Sequence, residues 1–483
     1  MPTAVEPYHP MLKGRNVSAP VYDLIAIGSG PAGEQAALSA AKLGKRVAVI
    51  ERQTEPGGAC IHTGTIPSKT LRETAVYLSG LRRRSLYGLN LKLKRDISIA
   101  DLMYRKRIVI QNESRRTRTR LGRNNVELIQ GAATFETPHR LRIALADGTV
   151  THLEARKIII ATGSHPVNPP TVPFDGKVVL DSDSILSLDR IPRSIIIVGG
   201  GVIGSEYGSI FAALGVAVTI IEGRDRMLRF VDHELVDSFI SYLRRRGVIL
   251  HLNETAEAIA IHGNRATATL SGGRQISAEK LLFAMGRTGN LEGLAIENAG
   301  LEATSRGYLT VNEHFQTVTP DVYAIGDVIG FPSLASTSMD QGRIAALHAF
   351  GAQTNKSGVR HILPYGIYTI PEMSMVGENE ETLQAANIPY EVGTASYFET
   401  ARGQINGDLE GVLKLVFHKE TLELLGVHAF GARAAELVHT GQAVLAYGGS
   451  VEYFVDNVFN YPTISELYRL AAFNGLNRLQ STP

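Results

Sequence analysis

The 483-residue sequence contains one cysteine, Cys60. A disulfide needs two sulfurs, so the chain forms none internally, and a secreted fold built on disulfides is excluded. No run of about 18 apolar residues occurs, so no helix is expected to span a bilayer. The N-terminus lacks a basic patch followed by an apolar core; no secretory signal is expected, and a cytoplasmic location is. Charge of one sign is scarce as well. Lys and Arg number 49 against 47 Asp and Glu, a net charge of +2, too little to gather nucleic acid or anionic membrane. What is present is an ordinary soluble composition, 44% apolar and 20% charged, over a length that calls for three or four domains. Residues 1–20 hold four prolines without periodicity and are expected to be a mobile tail.

A buried strand is expected at Val21 to Ile27, then the turn Gly28-Ser-Gly30-Pro-Ala-Gly33, a helix from Glu34 to Leu43 ended by Gly44, and a strand from Arg46 to Ile50 followed by Glu51. Gly28 permits the tight turn, Gly30 lets backbone approach a pyrophosphate, and Gly33 lets helix and strand pack closely. The helix N-terminus offers free N–H groups to phosphates, and Glu51 is placed to accept from a ribose diol. The unit recurs 171 positions later. Ser194 to Val198 is a strand, Gly199-Gly200-Gly201-Val-Ile203-Gly204 the turn, Ser205 to Leu214 a helix, and Val216 to Ile221 a strand ended by Glu222. Two fingerprints imply two dinucleotides, and a hydride passing between them is the economical reason for both.

Between the units lies Gly57-Gly58-Ala-Cys60-Ile-His62-Thr-Gly-Thr65-Ile-Pro-Ser-Lys69, then an expected helix from Pro67 to about Arg84. A second helix over 101–123 carries Arg105, Lys106, Arg107, Arg115, Arg116, Arg118, Arg120 and Arg123. Without interleaved aromatics for base stacking, it reads as a solvated face rather than a nucleic-acid surface. Alternation over 126–153 suggests an antiparallel meander, and Lys157 to Ala161 a buried strand. Prolines from Pro166 to Pro173 mark a linker. Asn264 to Ile276 reads as a hairpin, and Lys280 to Met285 and Val322 to Ile325 as strands, the last followed by Gly326-Asp327, where ligands sit in an open parallel sheet. Ser336 to Phe350 is expected to be helical, and Thr354 to Gly358 a polar linker. The last part, about 125 residues, shows strands at Gly411 to His418 and Leu424 to Phe430 and helices at Arg433 to Ala446 and Ile464 to Phe473, but no phosphate loop. Its expected use is packing against a second subunit.

From residue 21 onward this arrangement resembles the flavoprotein pyridine nucleotide–disulfide oxidoreductase family. The resemblance rests on Gly28 to Gly33 with Glu51, the loop Gly57 to Lys69, Ala161-Thr162-Gly163-Ser164, Gly199 to Glu206, Gly286-Arg-Thr-Gly289, and Ala324-Ile-Gly-Asp327. It implies an α/β architecture: two Rossmann-like domains for FAD and NAD(P), of the glutathione-reductase kind, and a C-terminal α+β dimerisation domain. The implied limits are 21–165 for the first part of the FAD domain, 166–288 for the NAD(P) domain, 289–352 for the return segment and 359–483 for the dimerisation domain. The first fingerprint then binds FAD with Arg52, Gly57, Gly58, Cys60, Thr65, Lys69, Ala133, Thr162, Gly163, Ser164, Asp327 and Ala335. The second binds NAD(H) or NADP(H) with Ile203, Glu206, Glu222, Arg224 and Gly286. No metal is expected.

The departures carry as much information. The family's disulfide reductases have Cys-x4-Cys in this loop, and here Thr65 takes the second place. They also have His-Pro-Thr-x-x-Glu, and here the segment is Tyr461-Pro-Thr-Ile-Ser-Glu466. Tyrosine, with a pKa near ~10, is a poor proton shuttle at neutral pH. These features together look like the soluble pyridine nucleotide transhydrogenases within the family. That resemblance implies a ping-pong exchange, with hydride from one nucleotide reaching flavin N5 and a second nucleotide removing it, without thiols. Lys69 and Glu206 are then expected to pair beside N5, and Tyr461 either to cap the flavin from the partner subunit or to be a core aromatic. Cys60 reads as vestigial or packing, with His62 as the one nearby base that would make it reactive. For the 2′-phosphate of NADP(H), Glu222 is expected to swing aside while Arg224, or else Arg226 or Arg229, takes the charge. The competing functions are an NAD(P)H oxidase, peroxidase or quinone reductase, and a flavoprotein that needs FAD only for its fold. A dihydrolipoamide dehydrogenase-like activity is excluded by Thr65 unless another protein lends a thiol.

Overall fold

The computed structural model describes residues 21–82, 99–353 and 362–481. The expected tail, the end of the helix projected to Arg84, and the polar linker at 354–358 lie outside them.

Five parallel strands form the first sheet, in spatial order Glu127–Thr137, Val47–Glu51, Val21–Ile27, Val150–Ile160 and Val322–Ala324. Val21–Ile27, the first in sequence, is central, and the order reverses there, which opens a crevice at the strands' carboxyl ends. Two of these strands are long and serve twice. Glu127–Thr137 and Val150–Ile160 continue past the sheet and pair antiparallel with Arg140–Leu145. The expected meander and the expected strand at Lys157 to Ala161 are therefore one continuous element on that side. Helix Pro31–Lys42 starts earlier than its apolar period suggested, because Pro31 occupies its first turn, where a missing N–H costs nothing.

The second sheet repeats the plan: Ile249–Leu252, Ala217–Glu222, Ser194–Val198, Lys280–Phe283 and Val179–Leu180, all parallel. The expected hairpin is present as Arg265–Leu270 with Gln275–Ala278, joined by a third antiparallel strand, Ala256–His262. The two sheets are linked by a short antiparallel pair, Ser164–Pro166 with Arg287–Gly289.

The C-terminal part is a five-stranded antiparallel sheet in the order Tyr365–Ile367, Glu372–Gly377, Leu424–Gly431, Gly411–His418 and Tyr390–Ser396. Only two of these strands were legible in sequence; the others are short or broken by glycine and proline. Helices Ala434–Ala446 and Glu466–Ser481 cover it.

One apolar cluster crosses between parts of the chain. Leu71 and Ala75 of helix Thr65–Arg82, and Ile367, Met373 and Phe430 of the C-terminal sheet, pack into the same apolar cluster as Ile197, Phe211 and Ile220 of the second sheet. That shared core sets the helix carrying Lys69 against the helix carrying Glu206. Among the described residues, no helix is long and apolar enough to cross a membrane.

Candidate functional site

A cleft of about 1690 Å³ runs from the first fingerprint to the start of helix Val202–Ala213 and the edge of the C-terminal sheet. Small-molecule pockets measure roughly 300–1,000 Å³, so this one has room for an extended dinucleotide with a further ring beside it. Its walls include Gly28, Gly30, Glu51, Arg52, Gly58, Cys60, Thr65, Lys69, Ala133, Thr162, Gly163, Ser164, Asp327 and Ala335, which are expected FAD residues. Gly33 and Gly57 stand behind the wall. A Cβ on Gly33 would lie 1.9 Å from the Gly28 carbonyl oxygen, and one on Gly57 would lie 2.4 Å from Ile61. Both act by permitting close packing rather than by facing the cleft.

The structure fits a bound dinucleotide. Helix Pro31–Lys42 begins at Gly30 with no side chain capping it, so its first N–H groups and positive end are available to a phosphate. Gly58, at φ +60°, presses within a Cβ's breadth of Gly30, which keeps side chains out of the phosphate turn. The Thr162 hydroxyl faces the cleft, buried and without a partner among the described residues, and such a group is ordinarily satisfied by a ligand or water.

The two units repeat in their hydrogen bonds as well as their sequence. Gly28 N–H donates to the Ile50 carbonyl at 2.8 Å, and Gly199 N–H to that of Ile221 at 2.8 Å. Glu51 accepts from Ser29 N–H at 3.0 Å and Gln53 N–H at 2.8 Å. Glu222 accepts from Gly200 N–H at 2.7 Å and Arg224 N–H at 3.0 Å. Each pair is displaced by the same 171 positions. Each acid thus pins the phosphate turn to the end of the second strand, in addition to any ribose contact. Glu51 also accepts from the Ser29 hydroxyl at 2.5 Å; with about four lone-pair positions on a carboxylate, one is left for a ribose hydroxyl.

This bonding corrects the expectation that Glu222 swings aside. Both of its oxygens hold backbone N–H groups and the residue is buried, so rotation would orphan two donors. Arg226 is also withdrawn from the phosphate candidates, since it pairs with Asp237 and donates to the His233 carbonyl at 3.3 Å. Arg224 and Arg229 remain exposed.

Of the second fingerprint, Ile203 and Glu206 reach the cleft, while Gly199, Gly200, Gly201, Gly204, Glu222, Arg224 and Gly286 lie outside it. The fingerprint therefore enters the common space by the first turn of its helix. There Lys69 Nζ lies 2.8 Å from both Oε1 and Oε2 of Glu206. Glu206 is 4% exposed, so the pair is a desolvated carboxylate answered by an ammonium that faces the cleft. Lys69 and Glu206, 137 positions apart, meet as expected. Tyr461, expected to act from a partner subunit or as a core aromatic, is 73% exposed and is not part of this chain's cleft wall, so it is not a core aromatic within this chain.

Arg287 went unnoticed in the sequence although it lies inside a quoted motif. Its Nε donates to the Ser164 hydroxyl at 2.8 Å and its Nη2 to the Ser164 carbonyl at 2.8 Å, and Ser164 in turn donates to Asp327 at 2.7 Å. One arginine thereby ties the exit of the second sheet to the acid at the end of the first. The basic helix Ile99–Arg123 is mostly solvated, as expected, but not wholly. Arg115 and Arg118 border the cleft. Arg120 pairs at 2.8 Å with buried Glu34, a carboxyl that burial raises above the usual range.

Residues 22–342 match the pyridine nucleotide-disulphide oxidoreductase family, and residues 363–472 match that family's dimerisation domain. The chain belongs to this family. The soluble pyridine nucleotide transhydrogenase of Mycobacterium bovis is 50% identical over 461 residues, 95% of this chain and 98% of that protein. The protein of the same name from Salmonella paratyphi C is 48% identical over 461 residues, with the same shares covered. Among solved structures, LpdA from Mycobacterium tuberculosis matches with a TM-score of 0.87 at 28% identity, covering 93% of this chain and 99% of that one. The HOCl-induced flavoprotein disulfide reductase RclA from Escherichia coli matches at 0.83 and 29% identity, covering 94% and 99%.

The surroundings of Cys60 disfavour its thiolate. Burial pushes the Cys60 thiol up, against a smaller opposing effect of the Thr65 hydroxyl hydrogen-bonded to it. His62 donates its Nε2–H to the Pro56 carbonyl at 3.1 Å. A raised thiol pKa leaves little thiolate at neutral pH, the opposite of what a nucleophilic cysteine requires.

Proposed function

We propose that the chain is a transhydrogenase that moves hydride between NADPH and NAD+, or NADH and NADP+, by way of FAD held in the cleft. The observation that carries this is that the first dinucleotide unit and the helix start of the second meet at one space, which contains the Lys69–Glu206 pair but no second sulfur. The names of relatives at about half identity over nearly their full length support the same activity.

When bound, FAD supplies the hydride relay, accepting from one pyridine nucleotide and donating to the next. The chain's own residues bind, orient and polarise. The start of helix Pro31–Lys42 and the Glu51-pinned turn would hold the FAD pyrophosphate and ribose, and Asp327, tied to Ser164, would take the ribitol chain. The start of helix Val202–Ala213 holds the nucleotide phosphates, with Glu222 as ribose acceptor. Its two unoccupied lone-pair positions suit a ribose diol, and Arg224 or Arg229 suits a 2′-phosphate. Lys69, kept in place by Glu206, sets positive potential where negative charge develops during transfer. Neither transfer needs a proton shuttle, which accords with Thr65 and Tyr461 standing where the disulfide reductases have cysteine and histidine. We also propose the limits 21–165, 166–288, 289–352 and 359–483 for the parts of the chain, self-association through the last of them, and Tyr461 as a residue of that interface.

The test is NADPH-driven reduction of thio-NAD by purified protein, with oxygen uptake followed in parallel. Exchange without oxygen consumption is expected. Oxygen or quinone reduction in its place would show an oxidase or quinone reductase, and a flavin that NADPH and NADH both fail to bleach anaerobically would show a purely structural cofactor.

A further inference from the structure

The segment Tyr368–Glu372 reaches the cleft from the C-terminal sheet and is gripped by two helices at once. On helix Thr65–Arg82, the Lys69 ammonium lies 4.9 Å from the centre of the Tyr368 ring. One turn on, Arg72 donates Nε to the Thr369 carbonyl at 3.1 Å and pairs with Glu372 at 3.0 Å. On helix Val202–Ala213, Glu206 Oε1 accepts the Tyr368 N–H at 2.9 Å, and one turn on Ser209 Oγ accepts the Ile370 N–H at 3.0 Å. Each helix uses two residues three apart, which share a face, and Arg72, Ser209 and Thr369 are all buried. Tyr368 is where the two grips meet, for it touches both members of the Lys69–Glu206 pair and lines the cleft.

An ammonium on a flexible four-carbon stem is not held in one place by a single carboxylate. The face of an aromatic ring attracts it from a second direction, and the backbone N–H fixes the carboxylate it pairs with.

We propose that Tyr368 is a positioning residue for hydride exchange, its ring holding the Lys69 ammonium and its N–H holding the Glu206 carboxylate in the geometry that polarises a flavin in the cleft. The proposal rests on the reading that flavin occupies the cleft. Tyr368 acts through Lys69 and takes no part in bond making.

The experiment uses the flavin-loaded enzyme and two readouts, the midpoint potential of the flavin by spectroelectrochemistry and the anaerobic rate of its bleaching by NADPH. Tyr368→Leu is expected to slow bleaching about tenfold, within the range of a desolvated cation–ring contact. It should also lower the potential by about 30 mV, the tenfold equivalent for a two-electron couple. Tyr368→Phe keeps the ring and recovers both values. In a Lys69→Met background, Tyr368→Leu is expected to change neither value further, because a residue acting through Lys69 has nothing left to act on. If Tyr368→Leu does not accumulate folded, Tyr368→Met replaces it, filling similar volume without the ring. An unchanged potential in the ring-less variant overturns the proposal, as does an effect that persists in full without Lys69. Failure of the underlying reading is separable, since it appears in wild type alone, as protein without flavin or flavin that NADPH does not bleach.

Discussion

Replacing Lys414 by methionine tests how the nucleotide half of the cleft is fastened to the rest of the molecule. Lys414 lies in strand Gly411–His418, its side chain 1% exposed. Its Nζ stands 2.9 Å from Oδ2 and 3.1 Å from Oδ1 of Asp232, 3.1 Å from Glu234, and in hydrogen-bond contact with Glu380. Asp232 is fully buried and caps helix His233–Arg245, accepting from Glu234 N–H at 3.1 Å and Leu235 N–H at 3.4 Å. Burial alone would lower the lysine's pKa, but the carboxylates around it outweigh that and hold it above the ordinary value. The sign follows. A raised folded pKa gives a stabilisation that is complete below the unfolded value near ~10.4 and is lost only as pH climbs through the folded one, so a measurement at neutral pH sees all of it. Methionine roughly matches the volume and leaves Asp232 as an unpaired buried anion beside two more carboxylates. Removing one partner from a buried pair costs about 3–5 kcal/mol.

A chain with several packed parts does not unfold in one step, so the informative assay is local: amide hydrogen exchange at Glu234 and Leu235, whose N–H groups Asp232 holds. A cost of that size corresponds to a loss of protection of roughly 100-fold or more. Asp232→Asn in the same background removes the stranded charge while keeping a good cap, and most of the protection should return. Protection within about threefold of wild type in Lys414→Met would refute the reasoning. A double variant that stays as unprotected as the single would show that stranded charge is not the cause.

Arg224→Ala is expected to weaken NADPH binding about tenfold, as loss of a charge-assisted contact does, and to leave NADH binding unchanged; equal effects on both nucleotides, by titration calorimetry, would remove Arg224 as the phosphate ligand. Arg226→Ala, a residue already committed to Asp237, should leave the ratio of the two affinities where it was. Cys60→Ser should keep transhydrogenation within about twofold, and at pH 8 iodoacetamide should alkylate Cys60 more slowly than a free cysteine because burial raises its pKa. Fast alkylation that stops exchange without unfolding would contradict both statements.

The strand, glycine turn, helix, strand and acid of each nucleotide unit lie within about thirty residues, and each member does a job set by its own backbone. A glycine at φ +108° or +110° opens the turn, a helix start is left uncapped, and an acid reaches back to pin the turn. Such rules act at short range, so they can be read from spacing. That the unit occurs twice, that Cys60 has no partner sulfur and that Lys69 and Glu206 sit in recognisable motifs were likewise open to inspection.

Single residues that meet across the fold gave no such signal. Arg120 on Glu34, Arg287 on Ser164, Lys414 on Asp232 and Lys69 under Tyr368 are separated by 86, 123, 182 and nearly 300 positions. Nothing in a basic helix, a strand lysine or a loop tyrosine announces its partner. The swing proposed for Glu222 failed for the same reason, because the two N–H groups that hold it become visible only once the turn is folded. Sequence by itself determined that two units have the form of dinucleotide-binding turns and that Cys60 has no second cysteine to pair with. The tertiary structure decided where those units converge and which charges face one another there, because burial and proximity are properties of packing and have no periodicity along the chain.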